Sequence, residues 1–124
     1  MGRLIRVVSV LLCTVVLLLA HPAPTHGHAI VVESSPASGE VLSRAPSQIA
    51  LRFNSRIEKA LSKVTLTGQA NGPLPLPRRS LDAAPDRMIV PLPSLQPGPY
   101  LVRWKVLSAD GHVTQGAFRF TVVR

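Results

Sequence analysis

Hydrophobic and polar residues alternate along three stretches of this chain with the period of a β-strand. In QIALRF (48–53) every second residue from Ile49 to Phe53 is apolar. YLVRWKVL (100–107) and GAFRFTVV (116–123) repeat this pattern with aromatic and β-branched residues. Because successive strand residues point to opposite faces, each stretch predicts a strand with one buried and one solvent-facing side. Three shorter candidate strands are AIVVE (29–33), KVTLT (63–67) and RMIVPL (87–92).

Turn-forming residues separate these candidates and argue against long helices. Ten of the 12 prolines follow residue 27, and segment 68–80 is predicted to be a Pro-rich surface loop. Only SRIEKALS (55–62) resembles a helix, and it is long enough for a turn at most. About seven short strands predict a single all-β domain, either a β-sandwich or a small Greek-key barrel. Tyr100 and Trp104 are expected to face its core.

The first 20 residues have the layout of a secretory signal peptide. Arg3 and Arg6 precede an apolar run from Val7 to Ala20, which is short for a membrane span. A retained N-terminal anchor is the alternative interpretation. The only cysteine, Cys13, lies inside this run, so a processed chain would carry neither a thiol nor a disulfide. We therefore expect a periplasmic or secreted protein.

Two positions compete as the cleavage site. Cleavage after Ala20 leaves the large residue Leu18 two positions earlier, whereas cleavage after Gly27 has small residues nearby and prolines ahead. The second position is slightly favoured and would make His28 the first residue. It divides the chain into a signal peptide, 1–27, and a folded domain, 28–124.

The positive charge of the chain does not by itself indicate a nucleic-acid partner. The formal net charge is +8, and removing Arg3 and Arg6 would leave about +6. The remaining cations are scattered, and several alternate with apolar residues on predicted strands, as on a solvated outer face. Together with export, this argues against nucleic-acid binding.

The stretch SADGH (108–112) holds a carboxylate and an imidazole two residues apart. In an extended segment Asp110 and His112 would point to the same side. A free N-terminal His28 would add its amine and a ring nitrogen, giving three nitrogens and one oxygen. Such donors suit tetragonal Cu(II) best and Ni(II) less well, while zinc accepts them but prefers a tetrahedron. A solvated histidine in a loop is the simpler alternative.

A catalytic use of the same pair would need a nucleophile. Asp110 could orient His112 as a base, with Ser108 or Thr114 as its target, but no nucleophile elbow or Gly-rich oxyanion loop is present. Cu(I) would require thiolates or thioethers, and the predicted domain offers only Met88. Neither hydrolysis nor Cu(I) binding is predicted.

Two long segments together resemble the CopC copper-resistance family: HAIVVESSPASGEVLSRAPSQIALRFN and PLPSLQPGPYLVRWKVLSADGHVTQGAFRFTV. The resemblance spans essentially all of 28–124. It implies a cupredoxin-like or immunoglobulin-like Greek-key β-barrel that binds one Cu²⁺ through His28, Asp110 and His112. It also favours cleavage after Gly27, since the family pattern begins with His. Ser55 departs from that pattern, because a Glu often stands there near the copper, and a Met-rich Cu(I) segment is missing.

The function implied is that of a monomeric Cu(II) carrier or buffer in copper resistance or homeostasis, without enzymatic activity. A copper-transporting inner-membrane protein of the CopD type is the implied partner. Two alternatives stay open at this point. One is a copper-dependent oxidative enzyme, because an N-terminal histidine holding copper also serves in polysaccharide monooxygenases. The other is an immunoglobulin-like interaction module without a metal.

Overall fold

The computed structural model describes residues 1–2, 5–6, 28–70, 72–77, 80–81 and 84–124. The predicted signal peptide with Cys13, and both candidate cleavage positions, lie outside these residues except at Met1, Gly2, Ile5 and Arg6. Within the described part of the chain, no helix is both long enough and apolar enough to cross a membrane.

Eight strands and one 3-10 turn make up the described fold. The strands are β1 (Val31–Ser35), β2 (Val41–Leu42), β3 (Gln48–Phe53), β4 (Lys63–Gly68), β5 (Gly72–Leu74), β6 (Arg87–Pro91), β7 (Gly98–Leu107) and β8 (Val113–Val122). The 3-10 turn spans Lys59–Leu61, inside the segment predicted to form a turn at most. The prediction of a nearly all-β domain is confirmed.

The strands form two sheets. One has the order β1-β3-β6, and the other has the order β2-β8-β7-β4-β5. All pairings are antiparallel except that of β2 with β8, which is parallel. β7 and β8 are joined by the Ser108–His112 turn and pair along their full lengths, from Gly98 opposite Val122 to Leu107 opposite Val113. This long hairpin therefore carries SADGH at one end of the five-stranded sheet.

The core lies between the sheets and consists of the apolar faces that the alternation predicts. In β3, Ile49, Leu51 and Phe53 are at most 1% exposed. Hydrophobic residues of the other strands that are at most 2% exposed are Leu66, Met88, Val90, Tyr100, Val102, Val106 and Phe120. Tyr100 stacks on Phe120, and its hydroxyl donates a 2.6 Å hydrogen bond to the Gln96 carbonyl.

Trp104 is only partly buried, but it packs against this core. Its ring meets Phe53 edge-on, with 5.7 Å between ring centroids. The partner of Trp104 on β8 is Gly116, where an added Cβ would lie 2.4 Å from Trp104 Cζ2. Glycine at this position leaves the space that the indole fills.

The predicted loop at 68–80 requires correction. The 68–80 segment was expected to be an irregular surface loop, but it contains β5, which pairs with β4 from Leu66 opposite Leu74 to Gly68 opposite Gly72. Gly72 has a φ of +64°, a value that glycine adopts readily. Pro73 is tolerated because β5 is an edge strand, where a missing N–H costs no ladder bond on the open side.

Candidate metal centre

Asp110 and His112 lie in the tight connection between β7 and β8. The prediction that they converge through an extended segment is wrong, because the chain turns here and Gly111 has a φ of +87°. The Gly111 N–H donates to the Ser108 carbonyl, and the Ser108 N–H donates to the His112 carbonyl, each at 2.9 Å. It is therefore a turn closed on itself that brings the carboxylate and the imidazole together.

The buried side chain of Ser108 stabilises this turn through hydrogen bonds. It is 2% exposed, and its hydroxyl donates to Asp110 Oδ1 while lying 2.9 Å from the His112 carbonyl oxygen. The His112 N–H also donates to Asp110 Oδ1, at 3.0 Å. One carboxylate oxygen, Oδ1, thus accepts the hydrogen bonds of the turn, and Oδ2 takes no part in them.

These contacts hold Asp110 in its charged form. The Ser108 hydroxyl first, and then the His112 N–H, lower the pKa of Asp110 from 3.8 to about 2. A hydrogen bond that donates to a carboxylate favours the ionised state. The site therefore offers a permanent negative charge at neutral pH, as a cation requires.

The third residue of the candidate centre comes from the other end of the chain. His28 precedes β1, and the two residues that follow it are held by three hydrogen bonds. Thr114 donates from Oγ1 to the Ala29 carbonyl at 2.6 Å. Asn54 accepts from the Ile30 N–H through Oδ1 at 2.9 Å, and its own N–H donates to the Ile30 carbonyl at 3.0 Å.

The structure brings all three predicted residues together. One donor atom from each of His28, Asp110 and His112 lies within 4.8 Å of the others. His112 Nδ1 is 3.1 Å from Asp110 Oδ2, and the two imidazole rings meet edge-on with 4.7 Å between centroids. The side chain of His112 is 62% exposed and that of Asp110 is 10% exposed.

This geometry fits a small cation. With metal–ligand bonds of about 2 Å, neighbouring donors are about 3 Å apart, which is the separation of His112 Nδ1 and Asp110 Oδ2. His28 is exposed and would need only a modest approach to complete the set. Imidazole nitrogens with a carboxylate suit copper, nickel and zinc, and three residues leave room for the amine of a processed chain.

The hydroxyls near the cluster do not form a nucleophile–base pair. Ser108 is buried and bonded to Asp110, and Thr114 is bonded to Ala29. A nucleophile needs an accessible oxygen within reach of the base, so the arrangement gives no support to hydrolysis.

Ser55, at the position where the resemblance led us to expect Glu, has a buried hydroxyl. Among the described residues, its Oγ has no hydrogen-bond partner. A buried hydroxyl without a partner costs about 1–3 kcal/mol. Because its side chain is a hydroxyl, Ser55 supplies no carboxylate to this end of the fold.

The sequence predicted the three residues that converge here but missed the residues that support them. Ser108 and Thr114 were considered only as nucleophiles, and Asn54 was not considered at all. Short polar side chains beside turns often bond to nearby backbone, which could have pointed to Ser108. The contacts of Asn54 and Thr114 join distant segments and leave no local signal.

Taken together, the two sheets and the cluster at the end of the β7–β8 hairpin define a β-sandwich protein with a candidate metal site. Residues 31–123 match the CopC domain, and the chain belongs to the CopC family. The resemblance inferred from the sequence is confirmed.

Individual relatives agree with this assignment. Protein YobA of Escherichia coli K12 is 37% identical over 97 residues, covering 77% of this chain and 78% of its own length. Copper resistance protein C of Xanthomonas campestris pv. juglandis is 30% identical over 107 residues, covering 81% and 84%. The crystal structure of CopC from Methylosinus trichosporium OB3b superposes with a TM-score of 0.70 at 28% identity, covering 77% of this chain and 93% of that one.

Proposed function

We propose that this chain is an exported Cu(II) protein that carries or buffers one copper ion per molecule in copper resistance. The observation that carries the proposal is the convergence of His28, Asp110 and His112 within 4.8 Å. The names of the relatives support the choice of copper, since two of them are called copper resistance protein C.

The donor chemistry favours Cu(II) over Cu(I). In a processed chain beginning at His28, the amine and a ring nitrogen would close a chelate, with the His112 imidazole and Asp110 Oδ2 as the remaining donors. Nitrogen and oxygen donors in a tetragonal arrangement suit Cu(II), whereas Cu(I) prefers sulfur. Met88 is 1% exposed in the core, so its thioether is not offered to an ion at the surface.

A carrier or buffer requires an ion that can enter and leave. His28 and His112 are exposed, whereas Asp110 is held from below by Ser108. The two imidazoles therefore lie on the solvent side of the site, where a receiving protein could reach the copper. A copper-transporting inner-membrane protein of the CopD type is the proposed recipient or donor, with the periplasm as the compartment and a monomer as the working form.

Copper uptake by this site is expected to depend on pH. The amine of His28 must be neutral to bind, and an N-terminal amine has an ordinary pKa of about 7.7–8.0. Binding near neutral pH therefore releases a proton, and acid weakens it.

The test is intact mass and Cu(II) electron spin resonance on exported, untagged protein. We expect a chain beginning at His28 and one tetragonal copper with nitrogen couplings. The matched control carries one extra residue ahead of His28, which keeps the imidazole but converts the amine into an amide. If this control binds copper as tightly as the processed chain, the proposed ligand set is wrong.

Two further measurements separate the alternatives. Cleavage of polysaccharide in the presence of copper, reductant and peroxide would replace the carrier by an oxidative enzyme. Unchanged copper binding in both His28→Ala and Asp110→Ala would leave an immunoglobulin-like module without a specific metal site. We expect no cleavage and a large loss of affinity in each variant.

A further inference from the structure

The two sheets carry their charges differently. The strands of the five-stranded sheet contain four cations, Lys63, Arg103, Lys105 and Arg119, and none of the six acidic residues of the chain. In the three-stranded sheet, Arg52 Nε lies 2.9 Å from Glu33 Oε2, so charges of opposite sign meet. Only the five-stranded sheet therefore has a uniformly positive set of side chains.

All four cations point outward. Each is exposed, and each has a buried neighbour in its strand: Val64, Val102, Val106 and Phe120 respectively. Strand alternation thus places the cations on one outer face, called here the basic face and defined by Lys63, Arg103, Lys105 and Arg119. Among the described residues, no ion pair involves any of them.

The four cations of the basic face are spread over three strands and do not follow a single strand. Lys63 on β4 stands directly opposite Lys105 on β7, and Arg119 on β8 stands opposite Leu101 on the same central strand. Neighbouring strands are about 4.8 Å apart, so the cations spread over three strands in both directions of the sheet. Like charges directly opposite each other are unfavourable unless an anion lies between them.

A shallow groove lies beside three of the four cations, Lys63, Arg103 and Lys105. Its volume is about 470 Å³, and its outward-facing lining residues are Lys63, Thr65, Arg103, Lys105, Gln115 and Ala117. The hydroxyl of Thr65 and the amide of Gln115 add neutral hydrogen-bond donors between the charges. The acidic residue nearest in sequence to this sheet is Glu40, whose carboxylate accepts the Ala37 N–H at 2.7 Å.

We infer that the basic face docks on a membrane surface rich in anionic phospholipid. A cluster of at least four Lys and Arg side chains on one surface is the size that anionic lipids recruit. Lipid phosphates form a two-dimensional array that can match cations spread over three strands. An acidic polypeptide would present a line of charges, for which a single strand or an edge would suffice.

Docking in this way would leave the candidate metal centre accessible. Lys105 pairs with Gln115, and the next outward pair along the hairpin, Leu107 and Val113, leads directly into the Ser108–His112 turn. The turn is therefore at the rim of the basic face and not beneath it. A protein docked through this sheet would hold His112 beside the membrane and open to the side.

The test is co-sedimentation of exported, untagged protein with vesicles, made either of pure phosphatidylcholine or with one third phosphatidylglycerol. We expect binding to the anionic vesicles only, and its loss in high salt because exposed charges are screened. Lys63→Gln/Lys105→Gln and Arg103→Gln/Arg119→Gln should each weaken binding, by about fivefold per cation removed. The charge-matched control is Arg44→Gln/Arg124→Gln, which removes two exposed cations outside the sheet.

Several outcomes would overturn the inference. One is absence of binding to the anionic vesicles by the unmodified protein. Another is an equal loss in the control variant, which would mean that total charge and not this face decides. Binding to a polyglutamate peptide but not to vesicles, with dependence on Lys63 and Lys105, would assign the face to an acidic protein partner. Circular dichroism of each variant confirms that the fold is retained, and none of these readouts requires copper.

Discussion

Thr114 donates a 2.6 Å hydrogen bond to the carbonyl oxygen of Ala29 and so ties the residue after His28 to the strand that follows His112. The two residues are 85 positions apart in the chain. This contact connects the two segments that supply the imidazoles. The position of His28 is therefore set partly by a residue of β8, far away in the sequence.

Removing the Thr114 hydroxyl is expected to weaken copper binding more than it weakens the fold. Thr114→Val keeps the shape of the side chain and loses one neutral hydrogen bond, worth about 1 kcal/mol in the free energy of unfolding. Residues that position metal ligands typically change affinity by about 10–100-fold, and we expect about tenfold here. The measurements are a Cu(II) competition titration and thermal unfolding of the metal-free protein.

Thr121→Val is the matched control, because Thr121 lies near the opposite end of the same strand. Its affinity for copper should equal that of the unmodified protein. Equal affinity in Thr114→Val would mean that the contact with Ala29 does not position His28.

Replacing Asp110 by Asn should remove a step from the acid unfolding profile. The carboxyl has a pKa of about 2 in the fold, against its usual 3.8. A carboxyl with a lower pKa in the folded state stabilises the protein above its unfolded pKa, and that contribution disappears as the pH falls from about 4 to about 2. Denaturant unfolding of metal-free protein across this pH range measures the effect.

Asn keeps an oxygen that can accept from Ser108 and from the His112 N–H, so the turn should persist in the variant. We expect a shallower loss of stability with acid than in the unmodified protein. Identical pH profiles would show that the hydrogen bonds of Asp110 do not favour its charged form.

Replacing His112 by Asn should abolish tight copper binding without unfolding the domain. The side chain is 62% exposed and contributes little to the core, whereas its imidazole supplies one of the three converging donors. We expect a melting temperature within a few degrees of the original for the metal-free form and loss of the nitrogen couplings assigned to this ring. A variant that retains the full spin-resonance spectrum would exclude His112 as a ligand.

Adding a methyl group at Gly116 should destabilise the sandwich through Trp104. The new Cβ would lie 2.4 Å from Trp104 Cζ2, and the indole is itself packed against Phe53. Forcing extra volume into such a contact typically costs about 1–3 kcal/mol. Denaturant unfolding followed by tryptophan fluorescence should show a lower midpoint for Gly116→Ala. Ala117→Ser, one residue away on the exposed side, should unfold like the original protein.

The sequence pattern located the strands whose two faces differ and missed those that are too short to show a pattern. β3 matches its predicted bounds because Ile49, Leu51 and Phe53 are all buried while the residues between them are not. β2 has two residues and β5 has three, so neither completes a cycle of alternation. Both lie among turn-forming residues, and each becomes a strand only because β8 or β4 offers it a partner.

The candidate site was predictable where its residues are close in sequence. Asp110 and His112 are two positions apart, and a compact turn keeps them together even though the backbone is not extended as predicted. The closeness of His28 depends on Asn54, whose contact with Ile30 forms when β1 pairs with β3, and on Thr114, whose contact with Ala29 forms only when the two sheets assemble. The resemblance to the CopC family could name His28, but the sequence could not give the reason for its position.

His28 leads into the three-stranded sheet, whereas Asp110 and His112 belong to the hairpin of the five-stranded sheet. An ion bound by all three would therefore act as a reversible cross-link between the layers of the sandwich. It would close a loop that contains most of the folded chain, and closing a long loop restricts the unfolded state most strongly. Copper loading would then raise the resistance of the whole domain to unfolding and proteolysis, and release of the ion would return it to the weaker, uncrosslinked form.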